Sequence, residues 1–152
     1  MKKNYNIKMD KERIKRYKEK QEKLSEYLKY LKDWTQDLEV EDFNKTNIKE
    51  QFSIYHAFQI VVEIITDLSA MVVKDLKKIP KDDYSNLETL AKEKIITKEL
   101  SSYIKEANGL RNRIVHDYNN IDDDIAYKSI LNVLNRIKQF KEVIDEWLKK
   151  NK

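Results

Sequence analysis

The segment 57-AFQIVVEIITDLSAMVV-73 decides the fold. Its apolar side chains cover much of a helical circumference, so it reads as a helix with neighbours on more than one side. Gln59, Glu63 and Asp67 interrupt the apolar run, which argues against a membrane span. The pattern predicts a long central helix over about 46–78, with Pro80 marking its end.

Working outward, Ile14, Tyr17, Leu24, Leu28 and Leu31 recur at spacings of three, four or seven and define a first helix over about 10–38. Asp10 is its expected N-cap. The polar stretch 39-EVEDFNKTN-47 breaks the chain before the central helix. Ser85 and Glu88 have the spacing of a capping box, so a short helix is expected from Ser85 to about 95. A fourth helix follows over about 97–118, and 119-NNIDDD-124 ends it. The last helix starts near Asp122 or Asp123 and carries Tyr127, Ile130, Leu134, Ile137, Ile144 and Leu148 on one side. The expected architecture is all-α: an antiparallel four-helix bundle with one extra short helix, forming one domain over 1–152.

Composition agrees. With one Gly, one Pro, 40% hydrophobic and 38% charged residues, the chain is poor in turn formers and rich in helix formers. The absence of cysteine excludes disulfides and thiolate metal sites and fits a cytoplasmic location. No apolar run follows the basic residues near Met1, so no secretory signal is expected. Residues 1–32 carry 12 Lys and Arg against 5 Asp and Glu, while the remainder carries 19 against 22. A basic first helix suits RNA or an acidic partner; the plainer reading is a solvated face of alternating lysine and glutamate.

The stretch 109-GLRNRIVHDY-118 breaks the apolar pattern of the fourth helix. It holds the only glycine, two of five arginines and one of two histidines. Leu100, Tyr103, Ile104, Ala107, Leu110 and Ile114 make the apolar stripe, and Asn108, Asn112 and His116 line up beside it at i, i+4, i+8. Arg111 falls near the apolar edge, about 140° from His116 on an ideal helix. The two converge only if the helix bends after Gly109 or ends near His116, or if a second copy supplies the other half.

The chemistry open to an arginine and a histidine is RNA cleavage without a metal or cofactor. The imidazole takes the 2′-hydroxyl proton or protonates the departing 5′-oxygen. The guanidinium neutralises charge building on the phosphoryl oxygens. Asn112 stands one turn from His116 and can orient that ring or bind a phosphate oxygen. Structural alternatives stand beside each role: a salt bridge from Arg111 to an aspartate of the last helix, and a His116 favoured at a helix C-terminus by the macrodipole. His56 reads as a surface or interhelical histidine far along the chain from the motif. Glu63 and Asp67, one turn apart, have the spacing of a metal-binding pair but look rather to lysines of the last helix or to Arg113, and Trp34 and Trp147 to packing the ends of the first and last helices rather than to stacking bases. No base-stacking platform or reading loop is visible.

The run "RNRIVHDY" resembles the R-x4-H-x-Y signature of the HepT-like toxins, a branch of the HEPN superfamily. Arg111, Asn112, His116 and Tyr118 occupy the signature positions, and the resemblance extends over roughly 45–148. It implies an all-α homodimer whose motif helices bring two arginines and two histidines to one cleft. It further implies a metal-independent endoribonuclease, the toxin of a type VII toxin–antitoxin pair. The implied partner is an MntA-like minimal nucleotidyltransferase, the antitoxin, which in some members transfers AMP to the motif tyrosine, here Tyr118. AMP there adds negative charge and bulk near His116 and repels RNA phosphates. A packed tyrosine at the helix end is the plainer role for Tyr118, and both roles coexist if its hydroxyl is exposed. A rival reading is a non-catalytic HEPN binding subunit of a nucleotidyltransferase complex.

Overall fold

A computed structural model describes residues 7–151. Five α-helices, α1 (Lys11–Thr35), α2 (Ile48–Asp75), α3 (Asp83–Lys92), α4 (Lys98–His116) and α5 (Asp123–Lys150), are joined with two 3-10 turns at Val40–Lys45 and Tyr118–Asn120. The architecture is the expected antiparallel bundle of four long helices with α3 as the extra one.

Each start is fixed by a short polar side chain that accepts a backbone N–H otherwise left without a partner. Asp10 takes Arg13 N, Asn47 takes Glu50 N, Thr97 takes Leu100 N and Asp122 takes Ile125 N. The expected cap of the short helix is corrected: Asp82, not Ser85, is the N-cap, and it accepts from Ser85 N, so the helix starts at Asp83. The aspartate won because its carboxylate stands where the first turn's free N–H groups point. α2 and α3 end in backbone reversals at Lys77 and Lys94, whose φ of 62° and 59° are left-handed. In each, the next N–H reaches back five residues, Lys78 N to Val73 O and Ile95 N to Leu90 O.

The stripe Tyr17, Gln21, Leu24, Leu28, Leu31, Thr35 buries α1 against the bundle. α2 packs on α1, α3 and α4, and more lightly on α5. By length and composition α2 could cross a membrane, yet 61% of its most apolar window is buried by these neighbours. The polar break before α2 is itself structured: Phe43 is fully buried and stacks on Tyr127 at 4.4 Å. Cross-links fix the helix directions. Arg13 at the start of α1 pairs with Asp75 at the end of α2, and Gln21 of α1 donates to Asp145 late in α5. Arg136 of α5 pairs with Glu99 at the start of α4. One end of the bundle therefore gathers the start of α2, the end of α4 and the start of α5.

Candidate functional site

The gathered end carries the motif. α4 runs unbroken through Gly109 and stops at His116, so the helix does end near His116, one of the ways Arg111 and His116 could converge. Gly109 faces α3, where a Cβ would stand 3.4 Å from the Tyr84 hydroxyl, an ordinary contact that does not demand a glycine. The chain leaves the helix at Asp117, whose N–H still reaches Arg113 O at 2.8 Å. Tyr118 lies outside the helix, in the 3-10 turn, which corrects the expected end at 118.

Arg111 is held from two sides. Its Nη2 donates to Glu63 Oε1 at 2.8 Å, and its Nη1 donates to Asn112 Oδ1 at 2.9 Å. Gln59 Nε2 donates to the same Glu63 oxygen at 3.1 Å. A salt bridge for Arg111 was expected, but its partner lies on α2 and not on the last helix. Glu63 was assigned to α5 lysines or Arg113 and instead takes Arg111, while Asp67 pairs with Lys20 of α1. Burial pushes the Glu63 carboxyl up. Hydrogen bonds from Arg111 and Gln59, then the charges of Arg111 and His56, outweigh it and hold the carboxyl below its ordinary range.

A guanidinium has five N–H donors. Two are used here, and the one on Nε is buried without a partner. Each terminal nitrogen keeps one N–H for an arriving anion, and the side chain is 24% exposed. The fork is held in place yet not consumed, as a phosphate grip requires.

The polar line of α4 splits along its length. Asn108 is buried, with its Oδ1 unpaired, Asn112 is half-buried, and His116 is exposed. Among the described residues no hydrogen bond or ion pair engages the His116 side chain, and none joins it to Arg111. Arg113 is exposed, away from Arg111.

Tyr118 leans edge-on against Phe52 at 5.5 Å and Tyr55 at 5.9 Å. Burial first, then the charge of Asp123, raises its phenol, so the proton stays on at neutral pH. The Tyr55 hydroxyl donates to Asp123. Phe52, Tyr55, His56, Gln59, Ile114 and Tyr118 line an open groove of about 260 Å³. His56 thus stands beside the motif, not far from it, on the α2 face that also carries Gln59 and Glu63. The expectations for the tryptophans divide: Trp147 is buried, whereas Trp34 is 41% exposed and stacks on Tyr30.

Sequence reasoning did not place three residues beside the motif, His56, Gln59 and Glu63. One signal was present: a carboxylate and an amide one turn apart on an otherwise apolar helix must find a partner, and a half-buried arginine suits them best. The helix rotation that selects Arg111 is a tertiary fact.

An all-helical bundle whose fourth helix carries R-x4-H and is followed by the motif tyrosine in a 3-10 turn defines the class, and the comparisons agree. The profile of the ribonuclease HepT-like family matches residues 24–144. A candidate RNase of Archaeoglobus fulgidus is 37% identical over 112 residues, 74% of this chain and 84% of that one. A tRNA nuclease HepT of Aphanizomenon flos-aquae is 27% identical over 130 residues, 84% of this chain and 86% of its own. Among solved structures, a tri-AMPylated HEPN toxin of Shewanella oneidensis, in complex with an MNT antitoxin, superposes with a TM-score of 0.78 at 26% identity. That match covers 91% of this chain and 99% of the toxin. The chain belongs to the ribonuclease HepT-like family of the HEPN superfamily, and its class is that of an RNase.

Proposed function

We propose that the chain is a metal-independent endoribonuclease toxin that works as a homodimer, with Arg111, Asn112 and His116 as its catalytic residues. The observation that carries the reading is the fixed but open guanidinium of Arg111, within five residues of a solvent-exposed histidine at the end of α4. Arg111 grips the scissile phosphate with its free N–H groups and neutralises charge as the phosphorane forms. His116 accepts the 2′-hydroxyl proton, and solvent water supplies the proton that the departing 5′-oxygen takes up. The substrate's own 2′-oxygen is the nucleophile, so no protein nucleophile or metal is needed. Asn112 keeps the guanidinium plane fixed through Nη1, and Glu63 does so through Nη2.

The antitoxin is a nucleotidyltransferase of the MntA kind, as the complexes of the neighbouring toxin suggest. It places AMP on the Tyr118 hydroxyl, where the new phosphate and adenine obstruct the site. The test is RNA cleavage by purified protein with EDTA present. Wild type cuts, and His116→Ala loses cleavage while keeping its helical content and dimer mass. Undiminished cutting by that variant overturns the assignment. A wild type that binds its nucleotidyltransferase and never cuts overturns it in favour of a binding subunit.

A further inference from the structure

The groove beside the motif has a composition that proton transfer and phosphate binding leave unexplained. Its α2 wall is Phe52, Tyr55, His56 and Gln59; its other wall is Ile114 of α4 and Tyr118 of the 3-10 turn that follows. Phe52 is 47% exposed, an open aromatic face near the start of α2, whose first residue Ile48 is exposed as well. Tyr118 stands edge-on to Phe52 with an interplanar angle of 72°, so the two rings make a corner and not a closed stack. One face of that corner is free for a third flat ring. His56 and Gln59 supply hydrogen-bonding groups on the same α2 face.

We propose that this groove is a nucleobase subsite: it takes one unstacked base of single-stranded RNA, from a nucleotide next to the scissile phosphate. The proposal rests on the nuclease reading above and says how that site holds its substrate. Aromatic walls with an amide and an imidazole at the rim match a base, which has a π-face to stack and a polar edge to read. Continuity places the base's own phosphate. Ile114 and Tyr118, which line the groove, alternate along the chain with Arg111 and His116, the residues proposed to act on the phosphate. Among the nearby charges, the Arg111 guanidinium keeps N–H groups open to a phosphate, and the Asp123 carboxylate accepts a hydrogen bond from the Tyr55 hydroxyl.

The test uses the full chain carrying His116→Ala, so that RNA stays intact, made without a nucleotidyltransferase. The probe is a fluorescein-labelled single-stranded oligoribonucleotide, together with a series in which one nucleotide at a time is abasic. Removal of the base at one position should weaken binding by about tenfold, in the range of one aromatic–base stack. In Phe52→Ala that loss should shrink below about twofold, and Phe52→Trp should restore it. The proposal is overturned if no position shows the loss, or if the loss persists in Phe52→Ala. It is also overturned if Phe52→Ala turns the dimer into monomer in sedimentation, because the groove is then a contact between copies. Cleavage by the wild type is scored separately. Absence of cutting sinks the nuclease reading, while the abasic series still decides whether the groove holds a base.

Discussion

Arg111 and Glu63 show how a charged residue serves both packing and chemistry. Glu63 sits on the helix that fills the core, and its charge is tolerable because a guanidinium and an amide meet it. Replacing it with glutamine removes the charge and leaves the shape. Glu63→Gln should lower kcat for RNA cleavage about 10- to 100-fold, because a guanidinium free to turn loses its alignment with the phosphate. An unchanged kcat would reduce Glu63 to a packing role. The pH dependence has a defined sign. The carboxyl is lowered in the folded state, so its stabilisation is present above its unfolded pKa and is lost as pH falls through the folded one. Denaturation of wild type and Glu63→Gln should therefore differ at pH 7 and converge in acid.

Tyr118 is the other residue with a sharp expectation. Made together with its nucleotidyltransferase, the protein should gain mass in multiples of an adenylyl group, and Tyr118→Phe should abolish the gain. A gain that survives the phenylalanine places the acceptor elsewhere. The motif residues were legible as a set because their types and spacing are local properties. Their mutual geometry was not. A wheel puts Arg111 and His116 on different faces, and only a structure shows that Glu63 fixes the first while the helix end frees the second.

At the scale of elements, periodicity recovered every helix to within a few residues at each end. Boundaries depended on caps, and there the sequence offered rivals. Asp82 and Ser85 both precede the short helix; the structure uses the first as N-cap, and its hydroxyl neighbour Ser85 merely donates to it. The backbone bond from Ser85, then that from its hydroxyl, holds the Asp82 carboxyl below its ordinary range, so this cap weakens in acid. The C-terminal reversals had no glycine to announce them. Lys77 and Lys94 adopt a left-handed conformation that a β-carbon resists. Lys77→Gly or Lys94→Gly should raise stability by about 0.5–1 kcal/mol, the relief of that strain less glycine's extra unfolded freedom. Urea denaturation measures it, and a loss of stability in both variants would contradict the strain assignment.

For the whole molecule, the bundle brings the start of α2 and the end of α4 to one end, so residues 55 or more positions apart share a surface. That gathering makes His56 a neighbour of the motif and builds the aromatic groove, and it is why neither was visible in the chain read linearly. The uneven charge of the chain puts its basic excess on α1, whereas the motif belongs to α4 at the opposite corner of the bundle. Within one chain Arg111 and His116 share no hydrogen bond, and the proposed function has a second copy supply the missing half. A mixed dimer measures this directly. In a tagged heterodimer of Arg111→Ala with His116→Ala, one site pairs the intact arginine of one chain with the intact histidine of the other. RNA cleavage by that heterodimer, when each parent homodimer is inactive, is the expected result. A heterodimer as dead as its parents would contradict a site shared between two chains.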